Sequence, residues 1–172
     1  MVVEIRQRVD ADLPALIVAL AATHEVDRYP VLPNHVSQEW LLEGGDDAAW
    51  VAQDGELVVG HIAVAETDED PDSLSVHRLF VLPDARGRGV ASALLTAAET
   101  YARVLKQDLF LEVVSHNTDA IHLYETRGWR WIRQYTATWA APDGRHPNIH
   151  LYASPDNDAM HFLDLGAGKP TE

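Results

Sequence analysis

Apolar residues recur along this chain in two rhythms, one of about two residues and one of three to four. Val3 and Ile5 alternate with Glu4 and Arg6, which predicts a first strand over Val3–Arg6. Leu13, Leu16, Ile17 and Leu20 then fall on one face of a helix. Asp10 or Asp12 can cap that helix, and Pro14 fits its first turn. Residues 24–37 carry Pro30 and Pro33 and cannot continue as one helix. A short second helix is expected from about Ser37 to Glu43, stopping at Gly44-Gly45. Strands follow over Ala49–Gln53 and Leu57–Ala65, joined at the hairpin signal Asp54-Gly55, and then over Ser73–Val81. Val90, Leu94, Ala98, Tyr101 and Leu105 mark a helix. Leu109–Val114 is almost continuously apolar, as in a strand covered on both faces. A short helix over Thr118–Thr126 ends at Gly128. A long strand over Trp129–Ala140, a turn at Pro142-Asp143-Gly144 and a returning strand over Ile149–Ala153 complete the pattern. The order β-α-α-β-β-β-α-β-α-β-β predicts an α/β class with a mixed sheet. It forms one domain over residues 1–153, and the weakly periodic residues 154–172 read as a tail.

Composition narrows the picture. The chain has 172 residues, 47% of them hydrophobic, enough for one domain with a sizeable core. No apolar run approaches the ~20 residues of a membrane span, and the first residues show no secretory pattern. The chain has no cysteine, which excludes disulfides, thiolate metal sites and a cysteine nucleophile and fits a cytoplasmic protein. A net charge of −14 argues against a nucleic-acid partner, since phosphate binding needs clustered Lys and Arg. Some of the acid is clustered, at Asp46-Asp47 and from Glu66 to Asp72. Solvated loops are the ordinary reading of such clusters; a field that draws in a cationic amine is the sharper one.

The chemistry concentrates between strand and helix, at Arg86-Gly87-Arg88-Gly89-Val90-Ala91-Ser92. A turn with two glycines at a helix N-terminus aims backbone N–H groups at one point and suits a phosphate or pyrophosphate. The spacing fits neither a Walker loop nor the dinucleotide fingerprint Gly-x-Gly-x-x-Gly. It does fit Arg-x-x-Gly-x-Ala. A second block carries Asn117, Ala120, Leu123-Tyr124-Glu125 and Gly128-Trp129. In this order the two blocks resemble the two CoA-side motifs of the GNAT superfamily, the acetyl-CoA-dependent N-acetyltransferases.

That resemblance implies a single-domain, mostly antiparallel sheet flanked by helices. It also implies direct acetyl transfer from acetyl-CoA to a primary amine without a metal. Backbone groups of Phe80 and Val81 would pair with the pantetheine amides, and the amides from Arg86 to Ser92 would hold the pyrophosphate. Asn117 would bond the pantetheine arm; a helix cap before Thr118 is its ordinary reading. Tyr124 matches the tyrosine that protonates the departing sulfur; packing on an amphipathic helix is the alternative. Many members carry a glutamate base six residues before the position of Val81, but Ser75 stands there in this chain. His77, on the same strand face, is the candidate base, with Glu66, Glu112 and a water chain to a backbone carbonyl as alternatives. Tyr29 and Trp40 sit where members vary and bind the acceptor.

The remaining histidines form no metal pattern: His146 and His150 are separated by Pro147. The expected acceptor is a small cationic amine entering beside residues 24–47. A protein N-terminus or lysine, and a non-catalytic acyl-CoA-binding regulatory domain, are the competing readings. Neither a nucleic-acid nor a membrane partner is expected, and a homodimer is compatible with the sequence.

Overall fold

The computed structural model describes residues 2–67 and 70–157. Among the described residues seven strands form the sheet: β1 (Val3–Gln7), β2 (Ala48–Asp54), β3 (Leu57–Glu66), β4 (Ser73–Val81), β5 (Asp108–Val114), β6 (Arg130–Thr136) and β7 (Asn148–Ala153). Four helices accompany them: α1 (Leu13–Asp27), α2 (Gln38–Leu42), α3 (Val90–Leu105) and α4 (Thr118–Thr126). The predicted element order holds throughout. The strand order is β1-β2-β3-β4-β5-β7-β6, and β4–β5 is the one parallel pair of neighbours.

Local differences have physical causes. Neither Asp10 nor Asp12 caps α1 with its side chain. Asp12 instead accepts the Val9 amide at 2.8 Å and a forked pair of bonds from Arg6. This holds its carboxyl below the usual carboxylate range, chiefly through the Arg6 bonds. α1 continues past Leu20 to Asp27 and stops at Arg28, which is left-handed with φ 59°. β6 ends at Thr136 rather than near residue 140, although Ala137 N still donates to Pro147 O. After β7 the Asn157 side chain exchanges two hydrogen bonds with the backbone of Leu109 on β5. Residues 158–172 of the expected tail, and Asp68 and Glu69 of the acidic stretch, lie outside the described residues.

Two layers cover the sheet. On one face Val90, Leu94, Leu95, Ala98 and Ala102 of α3 pack on Leu74 and Val81 of β4 and on Leu109, Leu111 and Val113 of β5. On the other, Leu13, Leu16, Ala19 and Leu20 of α1 and Leu41 of α2 pack on Val51 and Phe80. A buried side chain of this size contributes roughly 1.5–3 kcal/mol through removal of apolar surface from water.

β4 carries the feature that shapes the site. Its ladder with β3 shifts register between the pairs His61↔Phe80 and Ala63↔His77. Within that bulge Arg78 has φ 51°, a left-handed conformation costly for a side-chain-bearing residue. Buried polar bonds hold it there. The His61 ring, fully buried, donates from Nδ1 to Arg78 O at 2.7 Å and accepts Arg8 Nη1 at Nε2, 3.0 Å away. Arg8 in turn pairs with Asp46 at 2.8 Å. The Arg78 guanidinium reaches the other way, to Trp40 O at 3.0 Å, and so ties α2 to the bulge.

This arrangement needs a neutral His61. Burial lowers its pKa from 6.5 to about 4, against the opposing pull of the bond to Arg78 O, while the positive charge of Arg8 and Arg78 lowers it further. The unfolded chain therefore binds a proton between those values that the folded chain excludes. The stability in question is complete above about pH 6.5 and is lost as pH falls towards 4, by up to about 3 kcal/mol. Denaturation midpoints at pH 7.5 and 4.5 measure it. His61→Gln keeps a donor for Arg78 O and an acceptor for Arg8, and should flatten this component. A pH slope untouched by the substitution would place the acid sensitivity elsewhere.

Candidate active site

Parallel pairing of β4 with β5 runs from Ser73↔Asp108 to Val76↔Leu111 and ends there. Past Val76 the bulge turns β4 away, and its β5-facing side is left unpaired. The ladder fixes which groups face the gap. Leu82 N donates to Val59 O at 2.8 Å, and the register continues as Gly60↔Val81 and His61↔Phe80. Antiparallel alternation then turns the backbone N–H and C=O of Phe80 toward β3, and those of Leu79 and Val81 into the gap. The Phe80 ring lies instead on the α1 side, stacked 5.4 Å from His61. The open strand edge thus presents Leu79, which the sequence reading missed, together with Val81. Arg86 bonds Val81 O through Nε at 3.3 Å, so the Val81 amide is its remaining free backbone group at this edge.

Below this edge lies the glycine turn. The amides of Ala85 and Arg86 are spent on Leu82 O and Pro83 O. The Arg86 side chain forks onto Asp27 of α1. Gly87 and Gly89 are both left-handed, with φ 74° and 75°, and a Cβ at either would meet nothing within 4 Å. The first acceptor of α3 is Gly89 O, taken by Ala93 N, so the amides of Val90, Ala91 and Ser92 precede any intrahelical partner. Arg88, Gly89, Val90 and Ala93 line an open recess of about 440 Å³ with Val3. Arg88 lies 3.7 Å from Asp54. Positive dipole, exposed amides and open space above the glycines fit a pyrophosphate. The residues suited to it run from Gly87 to Ser92.

Across the gap, α4 begins at Asn117, whose side-chain oxygen accepts Ala120 N at 3.3 Å. The capping role is therefore present, and the side-chain nitrogen of Asn117 remains for a ligand. Tyr124 packs its ring near Trp129 and Tyr152, with centroids 6.2 and 6.3 Å away. Burial pushes its phenol far above the ordinary value, and Tyr29 adds to the shift. Tyr29 sits on the other face of the sheet, against Trp40 at 6.0 Å and Phe80 at 6.5 Å. A clamp fixes the far end of α4: Arg127 bonds Glu99 of α3 at 2.6 Å and also Ser92, and Trp129 donates to Glu99 at 2.9 Å.

The base candidates flank the same gap. One register step past the last β4–β5 pair stand His77 and Glu112, both on the face opposite α3. His77 Nδ1 lies 3.2 Å from Arg78 Nη1 and must accept that bond, which leaves Nε2 carrying the ring proton. Burial, with Arg78 close by, lowers the His77 pKa. Glu112 is exposed and accepts the Tyr135 hydroxyl of β6. Glu66 instead stands at the far end of β3, opposite Leu74, and lines a recess with Asp47 and Tyr101.

Among the described residues, several of the acids beside residues 24–47 and in the 66–72 stretch are engaged. Asp27 pairs with Arg86, Asp46 with Arg8, and Glu43 with Arg78 at 3.8 Å. Asp47 accepts Glu66 N at 2.6 Å, and Asp70 accepts Ser73 Oγ and Asp72 N. Trp40 lies between His35, stacked at 5.4 Å, and Arg78, whose guanidinium is 4.5 Å from the ring centre. Among the described residues no group of three or more His, Asp or Glu could hold a metal ion. No helix among them is long and apolar enough to cross a membrane.

Comparison with known proteins agrees with this geometry. The acetyltransferase (GNAT) family profile matches residues 14–129. Mycothiol acetyltransferase of Propionibacterium freudenreichii is 32% identical over 126 residues, covering 71% of this chain and 39% of that protein. The chain spans about half the length, or less, of the curated relatives it matches. The ribosomal-protein-S18-alanine N-acetyltransferase of Escherichia coli shares the fold with a TM-score of 0.73 at 21% identity, covering 92% of this chain and 96% of that one. NAA60 of Arabidopsis thaliana, solved with acetyl-CoA, gives 0.67 at 21% identity, covering 88% and 97%. A profile match over more than half of the chain, carried by a fold with a split sheet and a glycine turn, shows that this chain belongs to the GNAT family of acetyl-CoA-dependent acetyltransferases.

Proposed function

We propose that the chain transfers an acetyl group from acetyl-CoA to the primary amine of a small molecule. The observation that carries this reading is the gap between β4 and β5. An unpaired strand edge, a turn whose amides have no intrahelical partner and the buried Tyr124 phenol support this reading. Leu79 and Val81 would bond the pantetheine arm as an added strand, with Asn117 on the opposite side. Gly87 to Ser92 would hold the pyrophosphate. Acetyl-CoA supplies an activated acetyl group and a thiol that leaves.

The residues divide the proton work. Tyr124 holds its proton at every physiological pH, because burial disfavours the phenolate, and delivers it to the departing sulfur. Glu112 is the proposed base at the amine nitrogen. His77, the first candidate, faces the same opening, but its acceptor nitrogen is occupied by Arg78. We therefore assign it a donor role from Nε2. Tyr29 and Trp40 form the wall beside which the amine enters. Of the acids that would favour a cationic acceptor, Asp27, Glu43, Asp46, Asp47 and Asp70 are paired or tied into loops, and these lend it little support. A protein N-terminus is the competing acceptor, since the Escherichia coli fold neighbour is named for a ribosomal-protein alanine.

Three substitutions test the reading. Gly89→Ile sets a β-branched side chain at φ 75° under the pyrophosphate. It should abolish the thermal stabilisation given by acetyl-CoA while lowering the melting temperature of the free protein by only a few degrees. Stabilisation that survives would remove the cofactor assignment. Tyr124→Phe should lower kcat about 100-fold or more and leave the acetyl-CoA Kd within about twofold. Glu112→Gln should lower kcat/KM about 100-fold or more, whereas His77→Gln should lower it by less than about tenfold. The reverse result would return the base to His77.

A further inference from the structure

On the face opposite α3, one row crosses the sheet from Glu112 of β5 through Leu151 of β7 to Arg133 of β6. The Arg133 guanidinium lies over the Tyr135 ring at 5.9 Å, and the Tyr135 hydroxyl donates to Glu112. Among the described residues no acidic side chain forms a salt bridge with Arg133, in a chain of net charge −14. Its Nε is sealed from solvent and has no hydrogen-bond partner. An unmet buried donor is costly and calls for an explanation. Several other arginines are paired with carboxylates, as Arg6, Arg8, Arg86 and Arg127 are. Arg133 is thus half-buried beside the Tyr135 ring, on the sheet face that bears Glu112.

Cation and carboxylate stand two strands apart in this row. At about 4.8 Å per strand that is roughly 10 Å between backbones, which the two long side chains shorten. The pair is complementary to a molecule bearing an ammonium and a carboxylate a few bonds apart. Guanidinium binds carboxylate through two parallel bonds, which fixes orientation as well as affinity.

We propose that the acceptor is a small amino-acid-like zwitterion, whose carboxylate is held by Arg133 beside Tyr135 while its amine lies at Glu112. This rests on the reading of Glu112 as the amine site. Arg133 is then a specificity-determining residue, and it selects against amines that lack an anionic group.

The experiment uses the full chain, acetyl-CoA and a panel of free amino acids, each paired with its carboxamide and its decarboxylated amine. Turnover is followed by CoA release and product mass, and acceptor binding by calorimetry in the presence of CoA. The free acid should exceed its carboxamide by about 10- to 100-fold in kcat/KM. Arg133→Gln should erase that ratio through the KM of the acceptor, leaving the acetyl-CoA KM and the turnover of carboxamides within about twofold. Arg133→Lys should restore part of the ratio, because charge returns without the planar fork. Circular dichroism and melting temperature check that both variants fold. Equal turnover of acids and carboxamides, preference for polyamines, or an equal loss on both in Arg133→Gln overturns this inference and leaves the acetyltransferase reading standing. Failure of every amine in the panel to be acetylated or bound, with acetyl-CoA bound normally, overturns both.

Discussion

The site depends on one constraint, the bulge that turns β4 away from β5 after Val76. Left to itself, a parallel pair would go on exchanging hydrogen bonds and close the sheet. Here Arg78 is held left-handed, at a cost of roughly 1–2 kcal/mol. The surroundings over-determine it: His61 takes its carbonyl, and its own side chain reaches Trp40 O and His77. Hydrogen bonds that involve a charged group contribute about 1.5–3 kcal/mol each, which offsets strain of that size. The same residue therefore opens the sheet with its backbone and docks the α2 segment with its side chain.

Charge is distributed in keeping with this. The net −14 reads as an acidic protein, yet the carboxylates nearest the opening are occupied by arginines or by loop amides. Asp27 holds Arg86 and so joins the end of α1 to the glycine turn, while Glu99 holds Arg127 and joins α3 to α4. These pairs position the elements that carry the amides and the Tyr124 phenol. Among the described residues Arg133 is held by no salt bridge and shares its sheet face with Glu112, which is the asymmetry the proposed acceptor would read.

Much of the architecture was legible in the chain because periodicity and turn chemistry act locally. The strand at Ser73–Val81 and the helix at Thr118–Thr126 fall where alternation, Asn117 and Gly128 place them. The glycine turn was legible because its two residues at positive φ need glycine. What local patterns do not carry is the phase of a ladder. Whether Phe80 or Leu79 faces the gap depends on a register shift opposite Ile62, and nothing in the sequence marks Arg78 as left-handed. The pairing of acids with arginines far away in sequence, and the insertion of β7 between β5 and β6, are long-range outcomes of the same kind. Arg133 and Tyr135 looked like alternate residues of an ordinary strand; only the sheet sets them beside Glu112.

Amide hydrogen exchange along β4, with and without acetyl-CoA, tests most directly the claim that the bulge opens a strand edge for the cofactor. The ladder predicts a slowly exchanging Phe80 amide in both states, because that group is paired with β3. The Leu79 and Val81 amides should exchange rapidly in the free protein and become protected when acetyl-CoA binds. Leu79 and Val81 amides as protected as Phe80 in the free protein, or left unprotected by saturating acetyl-CoA, would contradict the account.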